Sequence, residues 1–324
     1  MVDREARVPG SDEPDGGTVR PDPLVSVIIP TRDRPALAVR AVRSALGQTY
    51  ANQEIVVVDD GSAPPLALPR DILDDPRVRT VRLDNTTGPG GARNAGVQAS
   101  TGTLLAFLDD DDRWRSRKIE RQVQTLARCD ETTAAVETGF ELWDGSRLME
   151  RYVPRPDRDL RKELLVQPRM QPSTVLLRRS AFTRLGGFDS TLLRVEDWDL
   201  WIRFADSYEV AALPEVHVDR DASSASAELL LLWYRHMVNR LEPRVAPLPP
   251  RERSRVRAAH LLVESSLLAR DGNPRAARRN ALLALREHPA GWLRPTLYMF
   301  RTVIGEQAWS TGKQALPKAL GRSR

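Results

Sequence analysis

The chain has 324 residues, 41% hydrophobic and 29% charged, which is enough for one large cored domain with an appendage or for two domains. No run approaches the ~18 uncharged apolar residues of a membrane-spanning helix, and "SAELLLLWYR" (226–235) is far too short. Residues 251–324 hold fifteen Lys+Arg against five Asp+Glu, so the net +5 leaves −5 for residues 1–250, where no basic patch interleaved with aromatics invites nucleic acid.

Residues 1–22 are charged, rich in Pro and Gly, and without the apolar stretch of a signal peptide, so they read as a disordered leader. "LVSVIIP" (24–30) is a β-branched run of the kind buried on both faces of a parallel sheet. Pro35 and Gly47 bracket a helix over "ALAVRAVRSAL". "EIVVVDDGS" (54–62) is a second buried strand ending in acids, and "RVRTVRL" (77–83) alternates as an edge strand does. "GPGGARNAGVQAS" (88–100) is a Gly-rich turn entering a helix, and "GTLLAFL" (102–108) is the next buried strand. A helical stretch over 116–129 contains the single Cys129, which permits no intramolecular disulfide and points to a reducing, cytoplasmic compartment. Short strands and loops continue to about 170. "STVLLRRSAFTRLGGFD" (173–189) then reads as strand, helix and Gly turn, and "EDWDLWIRFA" (196–205) as a helix with an acidic first turn. From about 225 helix formers dominate, with an antiparallel pair over 254–270 and 274–288. Further on, "TLYMFRTVIGEQAW" (296–309) gathers Leu297, Phe300, Val303 and Ile304 on one helical face.

Strand–helix–strand alternation argues for an α/β sheet with right-handed crossovers. Ligands of such sheets sit beyond the carboxyl ends of the strands. Three strands here end at Thr31–Asp33, Asp59–Asp60 and Asp109–Asp112, so acids collect on one rim. Four adjacent aspartates repel one another and need a positive partner. Asp109 and Asp111 are hard oxygen ligands that suit Mg²⁺ or Mn²⁺ carrying a diphosphate.

"VSVIIPTRDRP", "EIVVVDDGS", "GPGGARNAG", "FLDDDDRW", "GGFD" and "EDWDLWIR" come in this order over about 24–220. Together they resemble the family-2 inverting glycosyltransferases of GT-A fold. The resemblance implies a mostly parallel, Rossmann-like nucleotide-diphospho-sugar transferase domain over 23–222 and a helical extension over 223–324. It places Pro30, Thr31, Arg32, Asp60, Arg93 and Asp110 at the nucleotide and Asp109 and Asp111 at the metal. Asp197 falls at the general base with Glu196 beside it, and Gly187, Phe188, Trp198 and Trp201 fall on the acceptor or donor-sugar side, Trp198 and Trp201 reading equally well as core. Asp221, in "VDRDASSAS", takes the place of a His that the family often carries near the diphosphate.

The resemblance also implies the reaction: transfer from a nucleoside-diphosphate sugar, UDP or dTDP by preference, to a hydroxyl acceptor in cell-envelope polysaccharide, glycolipid or natural-product glycosylation. Two rivals stand beside it. One is a nucleotide-sugar-binding module without catalysis. The other is a sugar nucleotidyltransferase, which would need a Gly-rich loop where "PTRDRP" has none. For the carboxy-terminal helices the alternatives are peripheral contact with a cytoplasmic membrane face and packing, on the catalytic domain or in a homodimer.

Overall fold

A computed structural model describes residues 22–222 and 226–288. The expected leader and the amphipathic stretch 296–309 therefore lie outside the described residues, apart from Asp22. In chain order the elements are β1 (Val25–Thr31), α1 (Pro35–Leu46), β2 (Gln53–Asp59), α2 (Arg70–Leu73), β3 (Val78–Arg82), α3 (Gly88–Gln98) and β4 (Leu104–Phe107). They continue with β5 (Asp112–Trp114), α4 (Lys118–Leu126), β6 (Thr133–Asp144), β7 (Arg147–Tyr152), α5 (Leu160–Leu164), β8 (Val175–Arg178), α6 (Arg179–Arg184), α7 (Glu196–Ser207) and β9 (Glu209–Asp221). Three helices complete them: α8 (Ala227–Val245), α9 (Pro250–Arg270) and α10 (Pro274–Glu287).

One sheet runs in the order β3-β2-β1-β4-β8-β6-β9-β5, with β7 pairing to β6. The first four strands are parallel, as the βαβ pattern of their sequence requires. Beyond β4 the sheet is mixed: β8 runs antiparallel to both β4 and β6, β9 parallel to β6, and β5 antiparallel to β9. The period of two along each strand divides the core. Val27, Ile29, Ile55 and Val57 face α1 and α4, whereas Ile28, Val56 and Val58 face α3 and α7.

Two long strands replace the short ones expected before 170 and the unread stretch after 208. In β6, "TAAVETGFELWD", the first nine residues are buried, Glu137 among them. That carboxylate is ion-paired to the buried Arg158, which also donates to the Tyr152 hydroxyl at 2.6 Å. A buried acid with a buried arginine satisfies itself only once the chain from β7 to α5 is in place, so no local pattern announces it.

The carboxy-terminal helices do not stand apart from the sheet. Tyr234 of α8 lies against Trp198 with ring centroids 5.6 Å apart, and Met237, Leu241 and Val245 share the α7 core. His260 of α9, whose pKa burial lowers, hydrogen-bonds through Nε2 to the Leu165 carbonyl at 2.7 Å. The boundary near 223 is one of composition rather than packing. α9 and α10 are antiparallel: Leu268 meets Ala277, while Ala258 and Leu262 meet Ala284.

Close approach of α3 to β1 and β2 requires glycine at 96. A Cβ there would lie 2.4 Å from Ile28 Cγ2 and 3.0 Å from Val58 Cγ2, both in a packed core. Gly96→Ala is therefore expected to lower stability by roughly 1–3 kcal/mol, read as a reduced melting temperature.

Candidate active site

The carboxyl ends of β1, β2 and β4 bring Thr31, Asp59–Asp60 and, through Leu108, Asp109–Asp112 to one rim. Arginines answer the charge of the aspartates. Arg93 Nη2 donates to Asp109 Oδ1 at 2.5 Å. Arg34, just before α1, reaches Asp110 at 2.7 Å and Asp111 at 3.2 Å. Arg40 Nη2 donates to the Asp111 carbonyl at 2.6 Å, and Arg220 of β9 lies 3.4 Å from Asp112. Of these four, only Arg93 is a candidate from sequence, because the others come into range through the α1 face and the distant β9.

The four carboxyls are not equivalent. Burial raises Asp110 to about 6, although the Thr31 hydroxyl donates to it at 2.7 Å. Burial raises Asp112 to about 7, and burial with Asp109 raises Asp111. Asp109 is half-buried, and the Arg93 guanidinium outweighs its desolvation and holds it below the ordinary aspartate range.

Asp109, Asp111 and Asp112 each offer an oxygen within 4.8 Å of the others. The donor set is all carboxylate, hard and compact, and fits Mg²⁺ or Mn²⁺. Sequence spacing pairs Asp109 with Asp111 and passes over Asp112. The Asp112 amide donates to the Asp109 carbonyl at 3.0 Å, and this turn folds the fourth acid back beside the first.

A second pair of acids arrives on α7. Val195 precedes it in the left-handed region (φ 59°), a strained conformation for a β-branched residue. Glu196 is buried and accepts from Arg93 Nη1 at 2.7 Å. Gly90 of α3 makes room for it, since a Cβ there would stand 3.0 Å from Glu196 Cγ. Asp197 is half-buried and takes the Trp198 amide at 2.7 Å. Burial, then the neighbouring Glu196, raises its pKa to about 7 against the pull of Arg93. Arg93, buried and over the Phe188 ring at 5.3 Å, thus ties an acid of the carboxylate cluster to an acid of the α7 first turn.

The remaining candidates divide into rim and support. Pro30 is buried in β1, and Arg32 is exposed beside Asp33. Asp60 accepts from the Thr86 hydroxyl at 2.8 Å, the Thr87 amide and hydroxyl at 2.7 and 3.0 Å, and the Gly88 amide at 3.1 Å, so it pins the entry to α3. Asp221 pairs with Arg40 at 2.7 Å and stands one arginine away from Asp111. It lines an open cavity of about 380 Å³ with Arg40, Arg113 and Trp143.

Four acceptor-side candidates are buried. Trp198 and Trp201 have no exposure; Trp198 Nε1 donates to the Leu164 carbonyl at 2.6 Å, and Trp201 packs against Phe204. Phe188 is buried against Phe107 and Phe182. Gly187 (φ 73°) offers its carbonyl to Arg203 at 2.9 Å, and a Cβ would meet Asn94 Oδ1 at 2.7 Å. Trp198 and Gly187 tie α7 to neighbouring segments, and Trp201 and Phe188 fill the core beside it.

Residues 26–186 match the sequence model of glycosyl transferase family 2. An uncharacterized glycosyltransferase of Rickettsia prowazekii is 30% identical over 220 residues, which cover 64% of this chain and 68% of that protein. The chain is a member of glycosyltransferase family 2. WfgD of Escherichia coli, a UDP-Glc:α-D-GlcNAc-diphosphoundecaprenol β-1,3-glucosyltransferase, is 28% identical over 192 residues, covering 59% of this chain and 74% of WfgD. The fold has solved counterparts. Staphylococcus aureus TarS superposes with a TM-score of 0.50 at 16% identity, over 81% of this chain and 54% of TarS. The mannosyltransferase PcManGT of Pyrobaculum calidifontis, in complex with GDP-Man and Mn²⁺, gives 0.50 at 20% identity, over 86% and 79%. These likenesses place this family 2 chain in the GT-A fold.

Removing Arg93 leaves the buried Glu196 and the half-buried Asp109 without their shared partner. Arg93→Met is expected to destabilise the fold by about 3–5 kcal/mol in denaturant unfolding. Glu196→Gln keeps an oxygen facing Arg93 and should cost markedly less.

Proposed function

We propose that this glycosyltransferase is an inverting, metal-dependent enzyme that moves a sugar from a nucleoside-diphosphate sugar, UDP or dTDP by preference, to a hydroxyl acceptor. The observation that carries the reading is the Arg93 bridge, which sets a half-buried aspartate, raised to about 7, beside a compact carboxylate cluster. WfgD is named for a lipid-linked acceptor, and the succinoglycan biosynthesis protein ExoO of Rhizobium meliloti is 41% identical over 102 residues, 32% of this chain and 29% of ExoO. WfgD supports a lipid-linked acceptor and ExoO a role in polysaccharide assembly, and in this reading the transfer takes place on the cytoplasmic side.

In this reading Asp197 accepts the proton of the acceptor hydroxyl as that oxygen attacks the anomeric carbon. The carbon–oxygen bond to the diphosphate breaks on the opposite face, so one displacement inverts the centre with no covalent enzyme intermediate. A pKa close to 7 suits a general base at neutral pH. Asp109, Asp111 and Asp112 would hold Mg²⁺ or Mn²⁺, which supplies positive charge to the departing diphosphate. Thr31, Arg32, Arg93 and the turn that Asp60 fixes frame the nucleotide, and Asp110 holds Thr31 in position.

Asp197→Asn keeps size and polarity but cannot accept the proton, so transfer should fall by ~10²–10⁴-fold while UDP or dTDP affinity in Mn²⁺ stays unchanged. Loss of donor affinity together with activity would assign Asp197 a structural role. The base works only when ionised, so kcat/KM should fall about tenfold per pH unit below about 7 and level off above it. That limb should vanish in Asp197→Asn.

Asp111→Asn should abolish most donor turnover, whereas Asp110→Asn, whose amide oxygen still accepts from Thr31, should matter far less. Equal losses would put the cation elsewhere. A donor-binding chain with neither transfer nor donor hydrolysis would instead be a binding module. Synthesis of the nucleotide sugar from a sugar phosphate would make it a nucleotidyltransferase.

A further inference from the structure

α10 has two contrasting faces. Ala277, Ala281 and Ala284 are buried against α9. At 100° per residue the opposite arc of about 160° carries Arg278, Arg279, Leu282, Leu283, Leu285 and Arg286. All six are exposed, Leu282 by 62%, and the three arginines have no ion-pair partner among the described residues. This contrasts with α8, where Arg235, Arg240 and Arg244 each find an acid. Five of the six residues line an open groove of about 560 Å³.

Leucines in water are unfavourable and unpaired arginines on the same arc attract anions, so the occupant must offer both apolar and negatively charged surface. A second copy of the chain across a two-fold axis would set these arginines against themselves. Residues 289–324 are no better matched, with six Lys+Arg against one Glu. Nucleic acid answers the charge but not the leucines.

We propose that the outward face of α10 is a docking surface for an anionic bilayer. Leu282, Leu283 and Leu285 enter the headgroup boundary, and Arg278, Arg279 and Arg286 meet lipid phosphates. No described helix is long and apolar enough to cross a membrane, so the contact is peripheral. The proposal extends the reading of a lipid-linked acceptor, but vesicle binding is measured without turnover, so each can fail alone.

The test is co-sedimentation of the full chain with phosphatidylcholine vesicles, with and without phosphatidylglycerol. The expected result is binding that needs phosphatidylglycerol and weakens with salt. Leu282→Ser/Leu285→Ser and Arg279→Glu/Arg286→Glu should each lower partitioning on the order of tenfold or more, with melting unchanged because the sites are exposed. Leu282→Gln alone should shift it in the same direction. Equal binding to both vesicles, or binding retained in both double variants, would overturn the proposal. So would a dimer in light scattering that the leucine variant dissolves, or capture of RNA without vesicle binding.

Discussion

Arg93 is the residue on which the geometry of the rim depends. Its two terminal nitrogens are divided between Asp109, just past the end of a sheet strand, and Glu196, at the start of a helix 103 residues beyond Arg93 itself. A planar guanidinium can hold two carboxylates in fixed directions, which a lysine ammonium cannot. Because the group is buried, neither acid can be released to water without leaving a charge unpaired. Asp109 and Glu196 are thereby held at a fixed separation by one side chain.

That bridge in turn needs α3 and α7 to approach closely. Gly96 lets α3 settle on Ile28 and Val58, and Gly90 admits the Glu196 stem. Asp60 fixes where α3 begins by taking hydrogen bonds from Thr86, Thr87 and Gly88. On the far side, Arg203 ties α7 to the Leu185 and Gly187 carbonyls, and Trp198 ties it to Leu164. The residues around the rim therefore divide into a few that face the cleft and a larger set that hold those few rigid.

The division explains what the sequence discloses. The parallel strands announce themselves because burial on both faces demands unbroken β-branched runs, as in "LVSVIIP" and "EIVVVDD". The acids at their ends are equally legible, since chain direction alone puts them on one rim. The direction of a side chain on α7 is not legible in that way. Trp198 and Trp201 sit three apart, a spacing that serves a ligand platform and a core equally, and only the arrival of Tyr234 and Leu164 decides for the core. β6 escapes for a related reason: Glu137 looks exposed until Arg158 is found beside it. Arg34, Arg40 and Arg220 read as ordinary surface arginines, because no local pattern says that a fold will aim them at Asp110, Asp111 and Asp112.

A charge count around the rim accounts for its electrostatics. Asp109, Asp110, Asp111, Asp112, Glu196, Asp197 and Asp221 are seven acids, and Arg34, Arg40, Arg93 and Arg220 are four bases. If all are ionised, three negative charges remain uncompensated. Burial is the first cause of the raised carboxyls at Asp110, Asp112 and Asp197, and the unmatched neighbouring acids add to it. The arginines are also unequal in hold: Arg93 is enclosed, whereas Arg34 is half-exposed and reaches Asp111 only at 3.2 Å. A dication entering at Asp109, Asp111 and Asp112 thus meets a cluster with charge to spare and, at Asp111, only the looser of these two arginines to displace. The proton affinity of the rim and its fitness for a hard cation have one origin, an excess of carboxylates of which Asp110, Asp112 and Glu196 are buried and the others only partly screened by water.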